Sequence, residues 1–243
     1  MIQQVITYQC PECGSLNLEK NGKDYKGSQK YHCLDCNDYG TLEAQPRAYP
    51  KFFKEWVIRA YRERASMRGI QRIFGVARQT LARWLKEKAT TLPELSDTLE
   101  PPQVDDVLEL DELWSFVLKK SEQRWIWIAL CRRTRQVVAY FIGDRSQKSC
   151  QELWGRIPAT YKKLNSYSDF WQAYQNVFTV ETHQAVGKES GQTAHVERWN
   201  NTLRQRLARF VRKTLSFSKS DEFHEIVLKL YLFYYNTEWC PIS

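Results

Sequence analysis

Three carboxylates stand far apart in this chain: Asp111 in VLELDELWSF, Asp169 in NSYSDFWQAY and Glu197 in TAHVERWNNTLRQ. Carboxylates brought together from separate elements can hold two hard divalent cations, which take oxygen ligands. Two such ions about 4 Å apart activate an attacking hydroxyl and stabilise a departing oxygen in phosphoryl transfer. The protein then needs no nucleophile of its own, and no G-x-S-x-G elbow for Ser/His/Asp chemistry is present. A central-strand residue is best placed to bridge both ions, which points to Asp111. Each acid also has an ordinary use: Asp169 after Ser168 fits a helix N-cap, and Glu197 fits a surface acid. Glu109 shares the strand face of Asp111, as a further ligand or an exposed strand residue, and Glu112 is a third acid in the same stretch. Asn200, Asn201 and Arg204 follow Glu197 at three, four and seven residues. That spacing puts them on its helical face, where amides and a guanidinium can position backbone phosphates. His195 points elsewhere and reads as structural or DNA-facing.

Elements must hold these side chains in place. Residues 107–118, 124–131 and 136–143 are rich in β-branched and aromatic residues with short polar connections, the pattern of an antiparallel meander. A helix is expected over 148–164, irregular near Pro158, with Asp144 capping its start near Gln147. NSYS reads as a short strand leading to Asp169, FWQAYQNV as a short helix and HQAV (183–186) as another strand. A long helix is expected over 193–213, with Val196, Trp199, Leu203, Leu207 and Phe210 on one stripe, and an apolar helix over 222–236. This α/β order is compatible with a ribonuclease H-like domain. Phe170, Trp171 and Tyr174 read as packing that aims Asp169, or as one contact to a DNA base.

A second chemistry lies near the start. CPEC (10–13) and CLDC (33–36) are separated by nineteen residues. Cys10, Cys13, Cys33 and Cys36 can close a tetrahedral Zn²⁺ shell, a structural site without an open position. The flanks VITYQ and KYH read as the short β segments of a zinc ribbon, and His32 is left outside the shell. Cys131, Cys150 and Cys240 are scattered and read as free thiols, so the seven cysteines do not form a disulfide framework.

The 243-residue chain carries a net charge of +8 and a pI of about 9.1. Between Arg47 and Lys88 twelve Lys/Arg face three Glu. A second basic run, from Arg198 to Lys219, contains no acid. Such runs suit an acidic polymer. In the first run, Phe53, Trp56, Val57, Ala60 and Tyr61 mark one amphipathic helix. Ser66 then caps MRGIQRIF, where Ile70 and Ile73 are apolar, Gly75 turns the chain, and Leu81, Trp84 and Leu85 resume a stripe. This is either an ordinary helical hairpin or a helix-turn-helix that points Arg78, Gln79, Thr80 and Arg83 at DNA. The proline-rich polar stretch 90–106 reads as a linker. A hydrophobic fraction of 42% supplies a core, yet no apolar run reaches the roughly 20 residues of a membrane span. The first residues lack the pattern of a signal peptide, so a cytoplasmic, nucleoid-associated protein is expected.

LDELWSF around Asp111, SDFWQAY around Asp169 and HVERWNNTLRQRLARFVRKTLSFSKS around Glu197 resemble the insertion-sequence-one family of bacterial DDE transposases. The resemblance runs over nearly the whole chain, with both halves in one reading frame. It implies a zinc ribbon (1–46), a helix-turn-helix DNA-binding domain (47–89), a linker (90–106) and a ribonuclease H-like catalytic domain (107–243). It further implies a catalytic triad of Asp111, Asp169 and Glu197 holding Mg²⁺ or Mn²⁺, with Arg204 as the family's basic residue beyond the Glu. The expected activity is metal-dependent DNA cleavage and strand transfer at terminal inverted repeats and target DNA, by a homo-oligomer on paired ends. A non-catalytic, repressor-like or domesticated DNA-binding protein and a nuclease of related fold are the alternatives.

Overall fold

The computed structural model describes residues 5–42 and 48–239; Arg47 and Cys240 lie outside the described residues. The chain divides into two compact units, Met1–Lys51 and Phe52–Ser243. Among the described residues there are seven α-helices and two sheets, a mixed α/β architecture.

The smaller unit holds a three-stranded antiparallel sheet of β1 (Leu18–Lys23), β2 (Gln29–Cys33) and β3 (Tyr39–Thr41). KYH lies within β2 as expected, but VITYQ is not a strand. Its residues favour extended backbone, yet Val5 and Ile6 are exposed and among the described residues no strand pairs with them. Strand formation depends on such packing more than on intrinsic preference.

The larger unit centres on a five-stranded sheet. Its strands are β4 (Val107–Phe116), β5 (Gln123–Cys131), β6 (Val137–Gly143), β7 (Asn165–Ser168) and β8 (His183–Ala185), in the order β6-β5-β4-β7-β8. β4, β5 and β6 form the expected antiparallel meander, while β7 and β8 run parallel to β4. Alternation along β4 divides the side chains between two faces. Leu108 and Leu110 join Trp127 and Ala129 of β5 in a cluster with Leu153 of α4 (Gln147–Arg156) and Tyr174 of α5 (Gln172–Val177). Leu113 joins Ile126, Ile128 and Leu130 on the other face. That face packs on Val196, Trp199 and Leu203 of α6 (Ala194–Arg206) and on Leu228 and Tyr231 of α7 (Asp221–Tyr234).

Three further helices share this second core: α1 (Lys51–Tyr61), α2 (Met67–Phe74) and α3 (Arg78–Thr90). Ser66 caps α2 by accepting from the Gly69 amide at 3.0 Å. Gly75 ends it with φ of 68°, a left-handed conformation that costs glycine little. Leu81, Trp84 and Leu85 of α3 are buried as read from the sequence. α1 is rotated from the expected stripe. Val57, Ile58 and Tyr61 face the core, whereas Trp56 is 61% exposed and pairs edge-on with exposed Phe52 at 5.3 Å. Ile73 is 70% exposed as well.

The long helix also differs. α6 stops at Arg206, and Leu207 is extended before a short 3-10 turn, Ala208–Phe210. The Arg206 carbonyl accepts from the Arg64 amide at 2.6 Å, so a residue following α1 satisfies a carbonyl that another helical turn would have used. Leu207 and Phe210 remain buried by this different route. In the 90–106 segment, Leu95–Thr98 forms a 3-10 turn. The Thr98 carbonyl accepts from Gln136 at 2.8 Å, and the Glu100 carbonyl accepts from the Tyr161 hydroxyl at 2.7 Å. Among the described residues no helix is long and apolar enough to cross a membrane.

Leu85 is wholly buried and Ile73 is not. Leu85→Ala should therefore cost about 2–5 kcal/mol, and Ile73→Ala within about 0.5 kcal/mol of nothing. Urea unfolding midpoints check both values.

Candidate active site and cysteine cluster

The four cysteines of the smaller unit converge. Their sulfurs all lie within 4.8 Å of one another, with Cys10 to Cys36 and Cys13 to Cys33 both at 3.6 Å. A disulfide needs about 2.05 Å. The edge of a tetrahedron with Zn–S bonds of about 2.3 Å is roughly 3.8 Å, so the set fits a metal and not a covalent bridge. The two turns repeat one construction. Gly14 and Asn37, each four residues after a cysteine, have φ of 72° and 60°. Their amides donate to the carbonyls of Cys10 and Cys33 at 2.8 and 2.9 Å. The Cys36 and Asp35 amides bond the Cys33 sulfur and bring its thiol down to about 7, towards the thiolate that binds metal. His32 stacks on Tyr39 at 4.2 Å.

In the larger unit the acids divide by what neutralises them. Glu109 is completely buried on the α6 face of β4. It accepts from Arg132 Nε at 2.7 Å, the His195 amide at 2.9 Å, the Val196 amide at 3.0 Å and His195 Nδ1 at 2.7 Å. It is therefore neither a free ligand nor an exposed strand residue. It caps α6 from another element, meeting amides that a helix start leaves unpaired, and His195 is structural. Glu112 points to the opposite face. It is paired with Arg145 at 2.8 Å and accepts from the Tyr174 hydroxyl at 2.9 Å. Burial pushes its carboxyl up, and the Tyr174 and Arg145 bonds oppose that shift. Arg145 is itself held against Trp171 at 4.2 Å and Trp125 at 4.6 Å.

Asp111 has no arginine or lysine partner among the described residues. Its Oδ2 accepts from Asn200 Nδ2 at 2.7 Å. Burial, then the charge on Glu112, push its carboxyl up to about 7; Asp169 adds to this and the Asn200 amide opposes it. The parallel register pairs Leu108 with Ser166 and Glu109 with Tyr167. Asp111 and Asp169 are each two residues further on, so the register carried forward brings them side by side. Asp169 is likewise without a cationic partner among the described residues. It does not cap α5, whose N-cap is Trp171, but its Oδ1 accepts from the Trp171 amide at 3.0 Å and closes the turn before that helix. Phe170 is exposed, whereas Tyr174 is wholly buried.

Glu197 lies in the first turn of α6, exposed, and accepts from Thr193 Oγ1 at 3.1 Å. It stands one turn before Asn200 on the same face. Among the described residues only the cysteines form a tight cluster of three or more candidate ligands. Glu197 is thus near the aspartates' side of the helix but not gathered with them. The buried Asn200 Oδ1 has no hydrogen-bond partner among the described residues. Asn201 is exposed, and half-buried Arg204 donates to the Trp114 carbonyl at 3.3 Å. Arg78, Gln79 and Arg83 are exposed on α3 and Thr80 is half-buried, with Arg83 3.7 Å from Glu87. Asp144 does not cap α4 itself, a role taken by Ser146, but it accepts from Ser149 Oγ at 2.6 Å.

The sequence reading missed the arginines that neutralise Glu109 and Glu112. Strand parity separates Glu112 from Asp111 and was available as a signal. Arg132 and Arg145 are loop residues on either side of β6, and nothing in their spacing announces a partner.

Residues 106–236 match the family described as IS1 transposase. Among curated relatives, the insertion element iso-IS1n protein InsB of Shigella dysenteriae is 39% identical over 127 residues, 52% of this chain and 93% of that protein. The insertion element IS1 protein InsB of Shigella flexneri is also 39% identical, over 51% of this chain and 92% of its own length. An Escherichia coli K12 relative, insertion element IS1 9 protein InsB, is 35% identical over 156 residues, covering 62% of this chain and 91% of that protein.

Removing the Glu109 carboxylate strands Arg132, His195 and two helix amides. Glu109→Ala should destabilise the larger unit by about 3–5 kcal/mol, the range for breaking a buried pair. Chemical denaturation followed by tryptophan fluorescence measures it.

Proposed function

The chain belongs to the IS1 transposase family, and on that premise we propose that it binds the ends of its own insertion element and cuts and joins DNA strands by metal-dependent phosphoryl transfer. On this reading residues 1–46 are a zinc ribbon, 47–89 a helix-turn-helix, 90–106 a connection and 107–243 a ribonuclease H-like catalytic domain. The sheet order β6-β5-β4-β7-β8, with three antiparallel strands followed by two parallel ones, supports the fold assignment. The short turn at Gly75 and the exposed Arg78, Gln79 and Arg83 at the start of α3 support DNA reading by that helix.

One observation carries the catalytic reading. Of the four acids on β4 and just after β7, Glu109 and Glu112 are neutralised by arginines, while Asp111 and Asp169 adjoin each other without one. Adjacent like charges without a bonded cation are costly, and Asn200, whose Nδ2 bonds Asp111, keeps a buried Oδ1 without a partner among the described residues. These oxygens fit a hard cation. Asp111, Asp169 and Glu197 would hold Mg²⁺ or Mn²⁺, which when bound supplies activation of the attacking hydroxyl and stabilisation of the leaving oxygen.

The chain's own groups set the geometry. Asn200 fixes the Asp111 carboxylate, the Trp171 amide fixes Asp169, and Glu109 fixes where α6 starts. Asn201 and Arg204 lie on the helical face of Glu197, where they can orient a DNA phosphate. Water or a DNA 3′-hydroxyl is the nucleophile.

In a cleavage and joining assay on the element's ends with Mg²⁺, Asp111→Ala should lose at least about 10³-fold in rate, or roughly 4 kcal/mol of barrier. It should bind the same DNA as the wild type does. A variant keeping more than a tenth of the activity would sink the assignment. Elemental analysis should separately find about one zinc per chain, lost in Cys33→Ser.

A further inference from the structure

The basic charge of the α1–α3 segment is not spread evenly. Lys54, Lys86 and Lys88 are paired with Glu87, Glu222 and Glu55, and Arg62 lies 3.6 Å from Glu238. Among the described residues Arg68, Arg72 and Arg78 have no carboxylate partner, and all three are exposed. They line one wall of a groove of about 630 Å³, whose other wall is the 207–220 segment with Lys219, again exposed and unpaired. Among the described residues no acidic residue lines this groove. Its floor is rigid. Arg209 is buried and donates to the Tyr61 hydroxyl and to Ser218 at 2.8 Å. Ser218 in turn bonds buried His224 at 2.7 Å. Leu215 is 99% exposed at the mouth.

We propose that this groove holds one sugar-phosphate backbone of the DNA, gripped by Arg68 and Arg72 from α2, Arg78 from α3 and Lys219 from the opposite wall. The inference rests on the DNA-processing reading above, shares Arg78 with it, and adds Arg68, Arg72 and Lys219, which that reading does not use. Arg68 and Arg72 are one helical turn apart, about 6 Å along the axis, so they meet different phosphates of one strand. Phosphate contacts position the duplex and carry no sequence information. The groove therefore complements base reading from α3 and does not replace it. Leu215 offers an apolar surface to a sugar or base face at the groove edge.

The test is a salt titration of full-length protein binding to a mixed-sequence duplex, followed by fluorescence anisotropy. Each lost phosphate contact reduces the slope of log affinity against log salt by about 0.9. Arg68→Ala/Arg72→Ala should lower the slope by about two and Lys219→Ala by about one. Arg72→Lys should keep the wild-type slope, as should Lys163→Ala, which removes an exposed charge beside the start of β7, away from the groove. Unchanged thermal melting shows that the variants are folded. Wild-type slopes in the groove variants, or lost sequence discrimination at a constant slope, would overturn the groove alone. Absence of any DNA binding by the wild type would overturn both the groove and the reading beneath it.

Discussion

Glu109 sits wholly inside the larger unit, and a carboxylate there is tolerated only when its oxygens are bonded. Its partners decide the arrangement around it. Two are the amides of His195 and Val196 at the start of α6, one is the His195 ring and one is Arg132 from the loop after β5. A strand residue thus fixes both the position and the starting residue of a helix that follows 86 residues later in sequence. Once α6 begins there, its period places Val196, Trp199 and Leu203 on the sheet and Asn200 on Asp111. The polar contact selects the register, and the apolar stripe supplies most of the burial.

The same strand explains how charge is distributed. Within four residues β4 carries Glu109, Asp111 and Glu112. Alternation sends Glu112 to the α5 face and the other two to the α6 face. Each glutamate has its own arginine: Arg145, held between Trp125 and Trp171, for Glu112, and Arg132, beside Tyr167, for Glu109. The aromatic partners keep each guanidinium oriented while leaving its donors for the carboxylate. Asp111 is left over, and β7 adds Asp169 beside it. A fold that only needed stability would gain by placing apolar residues at both positions. Among the described residues neither acid has a salt-bridged cation, although Arg204 lies close enough to feel Asp111, and the proposed cation site would relieve that repulsion.

Much of this was legible from residue order alone. The two Cys pairs, the antiparallel meander, the short strand before Asp169 and the Leu81–Trp84–Leu85 stripe follow from local spacing and fall where that spacing puts them. Other features did not, and three of them share one cause. Trp56 was read as core because helical period cannot say which of two adjacent apolar lines, 52–56 or 57–61, meets a partner. α6 was read too long because its stripe continues through Leu207 and Phe210, while the bond that ends it comes from Arg64 in another element. Glu109 was left between ligand and surface residue because burial is a tertiary property. In each case the deciding partner is remote in sequence, and local pattern holds no record of it.

The end of α6 matters as much as its start. The Arg64 amide closes on the Arg206 carbonyl, and the Arg64 side chain donates to the Gln205 carbonyl at 2.9 Å. Buried Arg209 then joins Tyr61 of α1 to Ser218, which His224 of α7 bonds in turn. Burial and the nearby Arg209 charge hold His224 down to about 3, so it stays neutral and needs no counter-ion at physiological pH. The three N-terminal helices of this unit therefore do not hang from the sheet by their connecting segment alone. They are pinned at the far end of the helix whose near end carries Glu197 and Asn200. A duplex held on α2 and α3 would have a fixed distance and direction to Asp111, set by the thirteen residues of α6. On the proposed reading such a ruler would make binding and chemistry agree on which phosphate is cut.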